Sequence, residues 1–518
     1  MIFLRPIVCD GRQLLAHLRR SLASTSSETP HYGLRLNGCY VEAASADVVA
    51  IENPATGATV ATVASAGADD VNAAVQGAQI AFEDGRWSGL SPRARCRVLF
   101  RAAELLRQRL HLFAELETQQ TGRCLREYKA QLGRVPEWLE HHGAYAASHG
   151  FEGKLPPLTD GADHVNLVWR VPLGVCALIT PWNHPLLIAT KKLSVALAAG
   201  NTLVIKPPLA APLTVLKMAE LLEEAGVPPG TVQVVTGQGS VVGEALVQHP
   251  LVERVDFTGG TETGQRIARA MAESGKVKPY CAELGGNAPV LVFDDVRSVE
   301  EAVDGVAFAA FVASGQTCVS GKRILVSSLR LGEPMLPTTD LGPLISKSQL
   351  QRVEGQVQKA VAEGAQVLCG GKRPDSARCE LAAVGHFYEP TVLTMVTREN
   401  TAFSEEVFGP VISVTEFATE AEGVQLANSS QYGLGAAIWT SDVRKAHRVA
   451  RKLRSGVMWV NCHHRNDPSS PWGGFGQSGI GRENGPEAFE EYTTTQSLTI
   501  RTSDARENWF GDPNARYS

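Results

Sequence analysis

The sequence predicts an α/β fold with two lobes, each built on a largely parallel sheet. From residue 165 onward, short apolar runs alternate with helical stretches, and the first four runs are GVCALIT, TLVIK, VQVVT and RVDFT. The same rhythm resumes after residue 318 with RILVS, AQVLC, VISVTEF and GVMWV. Strands that alternate with helices form parallel sheets with the helices on their faces. A chain of 518 residues is long enough for several such units.

The other elements follow from periodicity. Between about residues 70 and 150, apolar residues recur every three or four positions, which predicts helices. Further helices are expected near 347–363 and 443–454. The C-terminal run EYTTTQSLTIRT has the pattern of an exposed strand, and such a strand often pairs with another segment or subunit.

Composition argues against several classes of function. The chain is 44% hydrophobic and 20% charged, and its net charge of −5 gives no reason to expect nucleic acid or an anionic membrane as a partner. No apolar run reaches the roughly 18–20 residues that cross a bilayer. The ten cysteines form no CxxC pair, so we expect neither a metal site nor a disulfide framework. Scattered thiols suit a reducing compartment.

Residues 1–34 form an N-terminal extension with two interpretations. Its arginines, its serine-rich end and a row of leucines on one helical face resemble an organellar, mitochondrial transit peptide. The alternative is an extension without a targeting role, or a misplaced start codon. A mitochondrial and a cytoplasmic location are therefore both open.

Two glycine-rich turns each follow a strand-like run and precede a helix. TGQGSVVG contains Gly239, and FTGGTETG contains Thr258, Gly259, Gly260 and Gly264. Free backbone N–H groups and a helix N-terminus can bind an anion at such turns. Neither turn has the strict GxGxxG spacing, and ordinary turn chemistry explains either one alone. Two in succession within a βαβ series favour a dinucleotide.

Two side chains are candidates for catalysis. Glu283 ends an apolar run in CAELGGNAP, where it either acts as a general base or lies on the surface. Cys318 lies in ASGQTCVSGK among glycines and small polar residues, which leave a thiol accessible for nucleophilic attack. Nearby N–H groups can stabilise an oxyanion. The alternative for Cys318 is a buried, inert thiol.

Seven motifs occur in the order found in one family. They are TPWNHP (180–185), VIKP (204–207), FTGGTETG, ELGG, GQTC, EEVFGP (405–410) and PWGGFGQSGIGRENG (471–485). From about residue 35 to residue 502 the sequence resembles the aldehyde dehydrogenases, in particular the NAD(P)-dependent, hydrolytic type.

This resemblance implies the division of the chain. It implies a Rossmann-type dinucleotide-binding domain, a second α/β catalytic domain and a small β oligomerisation hairpin, and hence a homodimer or homotetramer. The expected ranges are 35–155 and 173–285 for the dinucleotide-binding domain, 286–487 for the catalytic domain, and 156–172 and 488–505 for the oligomerisation segment.

The resemblance also implies a mechanism. Cys318 attacks the aldehyde carbon to give a thiohemiacetal, and the Asn183 amide and the Cys318 backbone N–H hold the oxyanion. Hydride transfer to the nicotinamide leaves a thioester, which water activated by Glu283 hydrolyses to the acid. Lys192 and Glu483 match positions proposed to relay the proton outward.

The cofactor positions carry over in the same way. Lys206 matches a lysine that contacts the adenosine ribose, and Glu406 matches the carboxylate that holds the nicotinamide ribose. The other matching positions are Thr258, Gly259, Gly264, Phe408, Trp182 and Gly239. Gly260 lies in the same phosphate turn but stands where the family commonly has a serine, so one hydroxyl donor is lost. Leu209 stands where the family often has a glutamate that favours NAD over NADP, and leucine neither binds the ribose hydroxyls nor repels a 2′-phosphate. NAD is therefore expected, and NADP stays open.

Several rings lie in or beside motifs that line the aldehyde tunnel of the family. Trp182, His184 and Trp472 either favour an apolar or aromatic aldehyde or serve packing alone. The adjacent histidine pairs at 141–142 and 463–464 are expected on surfaces or in loops.

One segment departs from the family. After RILVSS, relatives carry a helix of about 15 residues, which spans about 22 Å, whereas two or three extended residues cover only about 7–10 Å. Here Ser328 leads directly into LRLGEPMLPTTDLGPLIS, so the loop takes another route or the strand end unravels. One alternative is therefore a non-catalytic aldehyde dehydrogenase-like protein inactivated by this loss. Independently of this segment, a CoA-acylating enzyme is possible within the same fold, and Glu283 argues against it because such relatives usually lack the hydrolytic base.

Overall fold

The computed structural model describes residues 29–157, 163–321, 329–504 and 510–511. Most of the N-terminal extension, the predicted strand RILVS and residues 158–162 and 505 of the expected hairpin lie outside these ranges. The strands are β1 (His31–Tyr32), β2 (Leu34–Leu36), β3 (Cys39–Val41), β4 (Val48–Glu52), β5 (Thr59–Ala64), β6 (His164–Pro172), β7 (Val175–Ile179), β8 (Thr202–Lys206), β9 (Val232–Val234), β10 (Val252–Thr258), β11 (Tyr280–Glu283), β12 (Val290–Val292), β13 (Gln366–Cys369), β14 (Thr391–Thr394), β15 (Val411–Ser413), β16 (Tyr432–Gly433), β17 (Gly435–Trp439), β18 (Val457–Val460), β19 (Phe475–Gly476), β20 (Gly479–Ile480) and β21 (Thr493–Arg501).

The helices alternate with these strands. They are α1 (Ala68–Glu83), α2 (Pro92–Thr121), α3 (Leu125–Leu132), α4 (Pro136–Tyr145), α5 (Pro185–Ala199), α6 (Leu213–Ala225), α7 (Glu244–Gln248), α8 (Thr261–Glu273), α9 (Val299–Phe311), α10 (Lys347–Ala362), α11 (Thr401–Ser404), α12 (Glu420–Ala427), α13 (Val443–Ala450) and α14 (Gly485–Glu491). Within the described ranges, no helix is long and apolar enough to cross a membrane.

The first sheet has eight strands in the order β20-β11-β10-β7-β8-β9-β2-β3. The central strands β7 to β11 run parallel, as the alternation of apolar runs and helices predicts. Every residue of β7 and β8 is buried, because helices cover both faces of the sheet. The antiparallel strand β20 closes one edge, although it belongs to the range 286–487 that was expected to form the other domain.

In its described residues, the second α/β lobe contains two three-stranded sheets. One has the order β12-β17-β18 and is parallel, and the other has the order β13-β14-β15 and is mixed. Three smaller groups of strands complete the topology: β1-β5-β4, β16-β19 and β21-β6. In the β21-β6 group, all nine residues of one strand are paired with the nine residues of the other. The C-terminal strand is exposed along most of its length.

Two apolar cores hold the first sheet between its helices. One core packs α2, α5 and α6 against the sheet, and the other packs α1 and α8 with β7 and β10. Helix α2 begins after Ser91, whose hydroxyl accepts the Ala94 N–H, and it ends at the left-handed Gly122. Helix α5 is buried on nearly every side, yet it contains Lys191 and Lys192. These two lysines therefore need charged partners inside the molecule.

The described segment between Leu329 and Ser346 is a loop that contains no helix. It packs on the α2–α3 junction, where the Leu125 N–H donates to the Pro334 carbonyl at 2.9 Å. Helix α10 follows immediately. Whether the loop takes another route or the strand end unravels depends on residues 322–328, which lie outside the described ranges, so that expectation stays a prediction.

Candidate active site

The backbone of the residues that precede Cys318 is strained. Ala313, Ser314 and Gly315 have φ values of 55°, 54° and 68°, so two residues with side chains adopt the left-handed conformation. Such strain persists only when the surroundings hold it. The Ser314 hydroxyl donates to the Gly342 carbonyl at 2.9 Å, and the Gln316 side chain accepts the Ile345 N–H at 3.1 Å.

Glu283 is brought to this loop by the turn that follows β11. A Cβ on Gly286 would lie 2.0 Å from the Cys318 carbonyl oxygen, so only glycine permits the approach. Glu283 is 3% exposed, which excludes the surface alternative. Among the described residues, neither of its carboxylate oxygens has a hydrogen-bond partner. Burial and repulsion from the carboxylate of Glu483 raise the pKa of Glu283 well above its ordinary value.

The thiol of Cys318 is partly accessible and protonated at rest. Burial raises its pKa to about 12, and the carboxylates of Glu406 and Glu283 add to the shift. The nearby Lys191 lowers it, but less than the other effects raise it. The resting site therefore holds a neutral thiol together with a carboxyl group, Glu283, whose pKa is raised.

Asn183 reaches the same loop from the start of α5. Its Nδ2 donates to the Gln316 carbonyl at 2.9 Å, and within the described chain its Oδ1 has no partner. A side-chain amide carries two N–H donors, so one of them remains for an oxyanion. The backbone turn before Cys318 and the Asn183 amide thus converge on one place.

A buried ionic network lies behind Glu283. Lys191 and Lys192 each lie 2.5 Å from a different oxygen of Glu483, and Lys192 also pairs with Asp256. Burial would raise the pKa of Glu483, but the two lysines hold it well below its ordinary value. Sequence reasoning identified Lys192 and Glu483 but missed Lys191 and Asp256.

The predicted phosphate turns have the form that a dinucleotide needs. Gly239 opens a π-helical turn, Gly239–Gly243, and Gly260 immediately precedes α8. A Cβ on either residue would meet nothing within 4 Å, so both turns border open space. Gly264 packs on Leu284 and holds α8 close to the turn after β11. Gly259 donates its N–H to the Glu283 carbonyl, which ties the phosphate turn to the catalytic strand.

Lys206 ends β8 with its ammonium inside the protein. The side chain is 6% exposed, and its only described partner is the neighbouring Pro207 carbonyl, at 3.0 Å. Burial lowers the pKa of Lys206 to about 8. A ribose hydroxyl supplies the acceptor that such a buried donor lacks. The donor set and the open glycine turns therefore fit NAD(P).

The other predicted cofactor residues also meet. The rings of Trp182 and Phe408 pack edge to face with their centroids 5.4 Å apart. Glu406 accepts the Gly286 N–H at 2.9 Å, on the turn that leads from Glu283. The Thr258 hydroxyl donates to Glu483 at 3.5 Å. Leu209 is half-buried and packs against the core of the first sheet.

Two of the three rings predicted to line the tunnel contact cationic side chains. The Nδ1 of His184 lies 2.8 Å from an Arg123 nitrogen, and the ammonium of Lys191 lies 4.8 Å from the ring centroid of Trp472. Because an arginine can only donate, His184 Nδ1 accepts, and its proton sits on Nε2. Burial and the charge of Arg123 lower the pKa of His184 well below its ordinary value, so the ring stays neutral.

The expectation that both histidine pairs lie on surfaces or in loops is wrong for His141 and His142, which lie in α4, whereas His463 and His464 do lie in a loop. His142 is fully buried, because it continues the apolar face of α4 formed by Val135 and Leu139, and its Nδ1 lies 2.8 Å from the Ser194 hydroxyl. His463 is 5% exposed and stacks on Trp459 at 4.4 Å between ring centroids. In the described part of the chain, no group of three or more histidine, cysteine or acidic side chains could hold a metal ion.

Comparisons with known proteins identify the family. The model of the aldehyde dehydrogenase family matches residues 40–498. The betaine aldehyde dehydrogenase of Bacillus subtilis is 40% identical over 493 residues, which cover 92% of this chain and 99% of that protein. The phenylacetaldehyde dehydrogenase of Pseudomonas fluorescens is 39% identical over 510 residues, which cover 93% of this chain and all of that protein. The chain belongs to the aldehyde dehydrogenase family.

Solved structures agree with this assignment. The crystal structure of a Staphylococcus aureus betaine aldehyde dehydrogenase in complex with NAD+ has a TM-score of 0.88 and 37% identity, and the match covers 93% of this chain and 97% of that one. A Burkholderia cenocepacia aldehyde dehydrogenase structure, described as putative, gives the same TM-score at 36% identity, over 92% of this chain and 99% of that one. The predicted fold class and the resemblance to the aldehyde dehydrogenases are therefore confirmed.

The activity follows from the family. The protein is an NAD(P)-dependent aldehyde dehydrogenase that oxidises an aldehyde to the carboxylic acid through a catalytic cysteine.

The two network residues that sequence reasoning missed do have a weak signal in the sequence. Lys191 adjoins Lys192 in an apolar helix, and Asp256 interrupts an apolar strand run. Charges in such places indicate buried ion pairs.

Proposed function

We propose that Cys318 is the nucleophile of this aldehyde dehydrogenase and that Glu283 is its general base. The observation that carries the assignment is the contact between the Gly286 turn and the Cys318 carbonyl, which brings the thiol and the buried carboxylate into one site. Attack on the aldehyde carbon forms a thiohemiacetal, and the Asn183 amide and the Cys318 N–H hold its oxygen. When bound, the nicotinamide accepts the hydride, and the cysteine is left as a thioester.

Hydrolysis of the thioester needs a base, and Glu283 supplies it. A carboxylate with a raised pKa is a stronger base than an ordinary glutamate once it is ionised. Glu483 and Lys192, in the buried network behind Glu283, match positions that relay this proton outward. Because Lys192 is already an ammonium, it gives up one proton as it takes another. This hydrolytic role separates the protein from CoA-acylating relatives, in which a thiol takes the place of water.

We assign cofactor binding to two groups of residues. Lys206 holds the adenosine ribose, and Glu406 holds the nicotinamide ribose, with the Trp182 and Phe408 rings beside it. The phosphates lie on the turns that contain Gly239, Thr258, Gly259, Gly260 and Gly264. Leu209 leaves the choice of cofactor to packing, and NAD+ in a similar solved structure supports NAD as the preferred form.

For the substrate, we propose an apolar or aromatic aldehyde. The names of two relatives give betaine aldehyde and phenylacetaldehyde as contrasting substrates for comparison. In this chain the ammonium of Lys191 already lies over the ring of Trp472, 4.8 Å from its centroid, and an aromatic ring is the group on which a quaternary ammonium would bind. This contact favours the uncharged phenylacetaldehyde type over the cationic type.

For assembly, we propose a homodimer or homotetramer built on the β6–β21 ribbon, with the domain ranges given above. Two paired strands alone are marginally stable in water. Val165, Leu498 and Ile500 are each about 40% exposed on this ribbon, which leaves apolar surface for a second copy of the chain. Light scattering on the purified protein measures the mass, and a monomer at micromolar concentration would contradict the proposal.

For location, we propose a reducing compartment, either the mitochondrial matrix or the cytoplasm. The described chain contains eight free cysteines, one of them the nucleophile. A fluorescent protein fused to residues 1–34 decides between the two compartments. Import into mitochondria supports the transit peptide, and diffuse fluorescence supports an extension without a targeting role.

The experiment that tests the proposed function is a turnover assay on this chain. Formation of NADH, and separately of NADPH, is followed with aliphatic aldehydes, phenylacetaldehyde and betaine aldehyde, with and without CoA. We expect NADH formation with no CoA requirement, and none from Cys318→Ala, which still binds NAD+. Undiminished activity in Cys318→Ala would overturn the assignment. A folded but inactive wild-type chain would favour the non-catalytic alternative, and regained activity after insertion of a helix of about 15 residues beyond Ser328 would locate the fault.

A further inference from the structure

One face of β10 carries charged and polar side chains through the interior. Because alternate residues of a strand point to the same face, Arg254, Asp256 and Thr258 lie on one face of β10. The neighbouring strand β11 is parallel and in register, with Cys281 beside Asp256 and Glu283 beside Thr258. Asp256 is therefore one step along the same sheet face from the proposed general base.

Asp256 is fully engaged at this position, although it is only 1% exposed. One of its oxygens pairs with the Lys192 ammonium, and the other accepts the Tyr492 hydroxyl at 2.6 Å. The Arg254 guanidinium lies 3.8 Å from that second oxygen and pairs with Glu491 at 2.6 Å. Lys192 of α5, Tyr492 at the end of α14 and Arg254 of the same strand thus hold one carboxylate in place.

The charges of this network balance without Glu283. Its cations are Lys191, Lys192 and Arg254, and its paired carboxylates are Glu483, Asp256 and Glu491. Glu283 is a further carboxyl group, and no described residue forms an ion pair with it. Because buried charges need partners, the network has no free cation with which to stabilise an ionised Glu283.

The surroundings of these two carboxyl groups are otherwise neutral or already paired. Glu283 faces the lysines of α5, the carboxylates of Glu483 and Asp256, and the thiol of Cys318. Besides its ion-pair partners, Asp256 faces two cysteines and two tyrosines, each with a pKa raised by burial and therefore uncharged at neutral pH: Cys176, Cys281, Tyr280 and Tyr492. Both lysines act on Glu283, Lys191 more strongly than Lys192, but Lys192 is the one that pairs with Asp256, so it is the cation that Asp256 and Glu283 would compete for.

We propose that Asp256 is a positioning residue which, by taking up the charge of Lys192, leaves Glu283 without a cationic partner and so sets the pH at which the general base becomes active. The inference rests on the proposed role of Glu283. The chemical reason is that a Glu283 carboxylate with no cationic partner keeps a high affinity for a proton and can therefore take one from water. If Lys192 were free to pair with Glu283, the base would ionise at a lower pH but would be weaker.

Neutralising Asp256 is the direct test. Asp256→Asn keeps the shape of the side chain and an oxygen for Tyr492, but it leaves one positive charge of the network unbalanced. Glu283 then gains a stabilising cation, and its protonation midpoint falls by about one pH unit, a tenfold change in proton affinity. Tyr492→Phe is the matched control, because it removes a contact of Asp256 without changing the charge, and we expect an unshifted midpoint.

The readout is the protonated carboxyl band of Glu283 in infrared titrations of the whole protein without cofactor. The spectrum of Glu283→Gln is subtracted to isolate this band. In the wild type we expect the band to persist at neutral pH. In Asp256→Asn we expect the midpoint at which the band disappears to lie about one pH unit below the wild-type midpoint. Equal midpoints in the two proteins, or a wild-type midpoint near the ordinary glutamate value of about 4.3, would overturn the proposal.

Two further results keep the conclusions separate. If Asp256→Asn does not fold, Asp256→Ser removes the same charge with a smaller side chain and repeats the test. The pH profile of thioester hydrolysis should follow the infrared midpoint, with its acid limb lower by about one unit in the neutral variant. If Glu283→Gln hydrolyses the thioester at the normal rate, the base assignment fails, whereas the infrared titration still shows whether Asp256 controls Glu283.

Discussion

Arg123 and Glu127 form a buried ion pair in which Nε lies 2.6 Å from Oε2, and the same oxygen accepts the Ala313 N–H at 2.9 Å. Ala313 begins the left-handed turn that leads to Cys318. Arg123 also contacts the Gln131 side chain at 2.7 Å and His184 at 2.8 Å. One carboxylate therefore balances a buried cation and holds the approach to the nucleophile.

Glu127→Gln is expected to lower the free energy of unfolding by about 3 kcal/mol, because it leaves the buried Arg123 without its counter-ion. Urea denaturation measures the change. The control is Glu137→Gln, which removes the carboxylate of a half-exposed pair with Arg134 and should cost less than about 1 kcal/mol. Equal costs for the two substitutions would show that the Arg123 pair has no special role.

The loop between Leu329 and Ser346 is expected to support catalysis in place of the absent family helix. Asp340 pairs with Arg126 at 2.9 Å and with Arg330 at 3.2 Å, and Gly342 in the same loop accepts the Ser314 hydroxyl. Asp340→Asn should lower kcat by up to about tenfold with little change in NAD+ affinity, because the turn before Cys318 loses support.

The acid stability of this loop gives a second readout. Burial would raise the pKa of Asp340, but hydrogen bonds from Arg330 and the charge of Arg126 hold it below its ordinary value. Its contribution to stability is therefore complete above the ordinary aspartate pKa of about 3.9 and is lost as the pH falls through the lower folded value. Asp294→Asn is the control, since that side chain is 99% exposed. If Asp340→Asn leaves kcat unchanged, as the control Asp294→Asn should, the loop does not support the nucleophile.

Alkylation of Cys318 in the protein without cofactor should be slow at neutral pH. The thiolate is the reactive form, and a pKa raised to about 12 keeps the thiol protonated, so the rate should rise about tenfold per pH unit without a plateau below about pH 10. Mass spectrometry of iodoacetamide-treated protein measures the rate, with the exposed Cys369 as an internal reference. A plateau for Cys318 near pH 7 would mean that the resting nucleophile is already ionised.

Lys206 should make NAD+ binding depend on pH. Burial lowers its pKa to about 8, so the free protein loses this ammonium as the pH rises through about 8, and the affinity for NAD+ should fall over the same interval. Lys206→Met should weaken binding about tenfold at pH 7 and remove this dependence, because one charge-assisted hydrogen bond is lost. Calorimetric titration measures both effects, and the exposed Lys372 replaced by Met is the control. An unchanged affinity in Lys206→Met would remove this residue from the cofactor site.

The sequence was sufficient for the parts of this protein that local patterns encode. The parallel strands appear as apolar runs separated by helical periodicity. Cys318 and Glu283 lie in sequence motifs that identify them as catalytic candidates. The partners of buried charges were harder to predict. Lys192 and Asp256 are 64 residues apart and meet only because β10 and α5 pack together. The pair His141–His142 was misassigned because polarity was given more weight than the apolar face on which His142 lies.

The central claim, that Cys318 carries the acyl group and Glu283 releases it, is tested most directly by rapid mixing of Glu283→Gln with NAD+ and an aldehyde that the wild type oxidises. We expect a burst of one NADH per active site followed by a much slower steady rate, and mass spectrometry of the quenched protein should show the acyl group on Cys318. A steady rate equal to that of the wild type, with no acyl group on Cys318, would contradict the account.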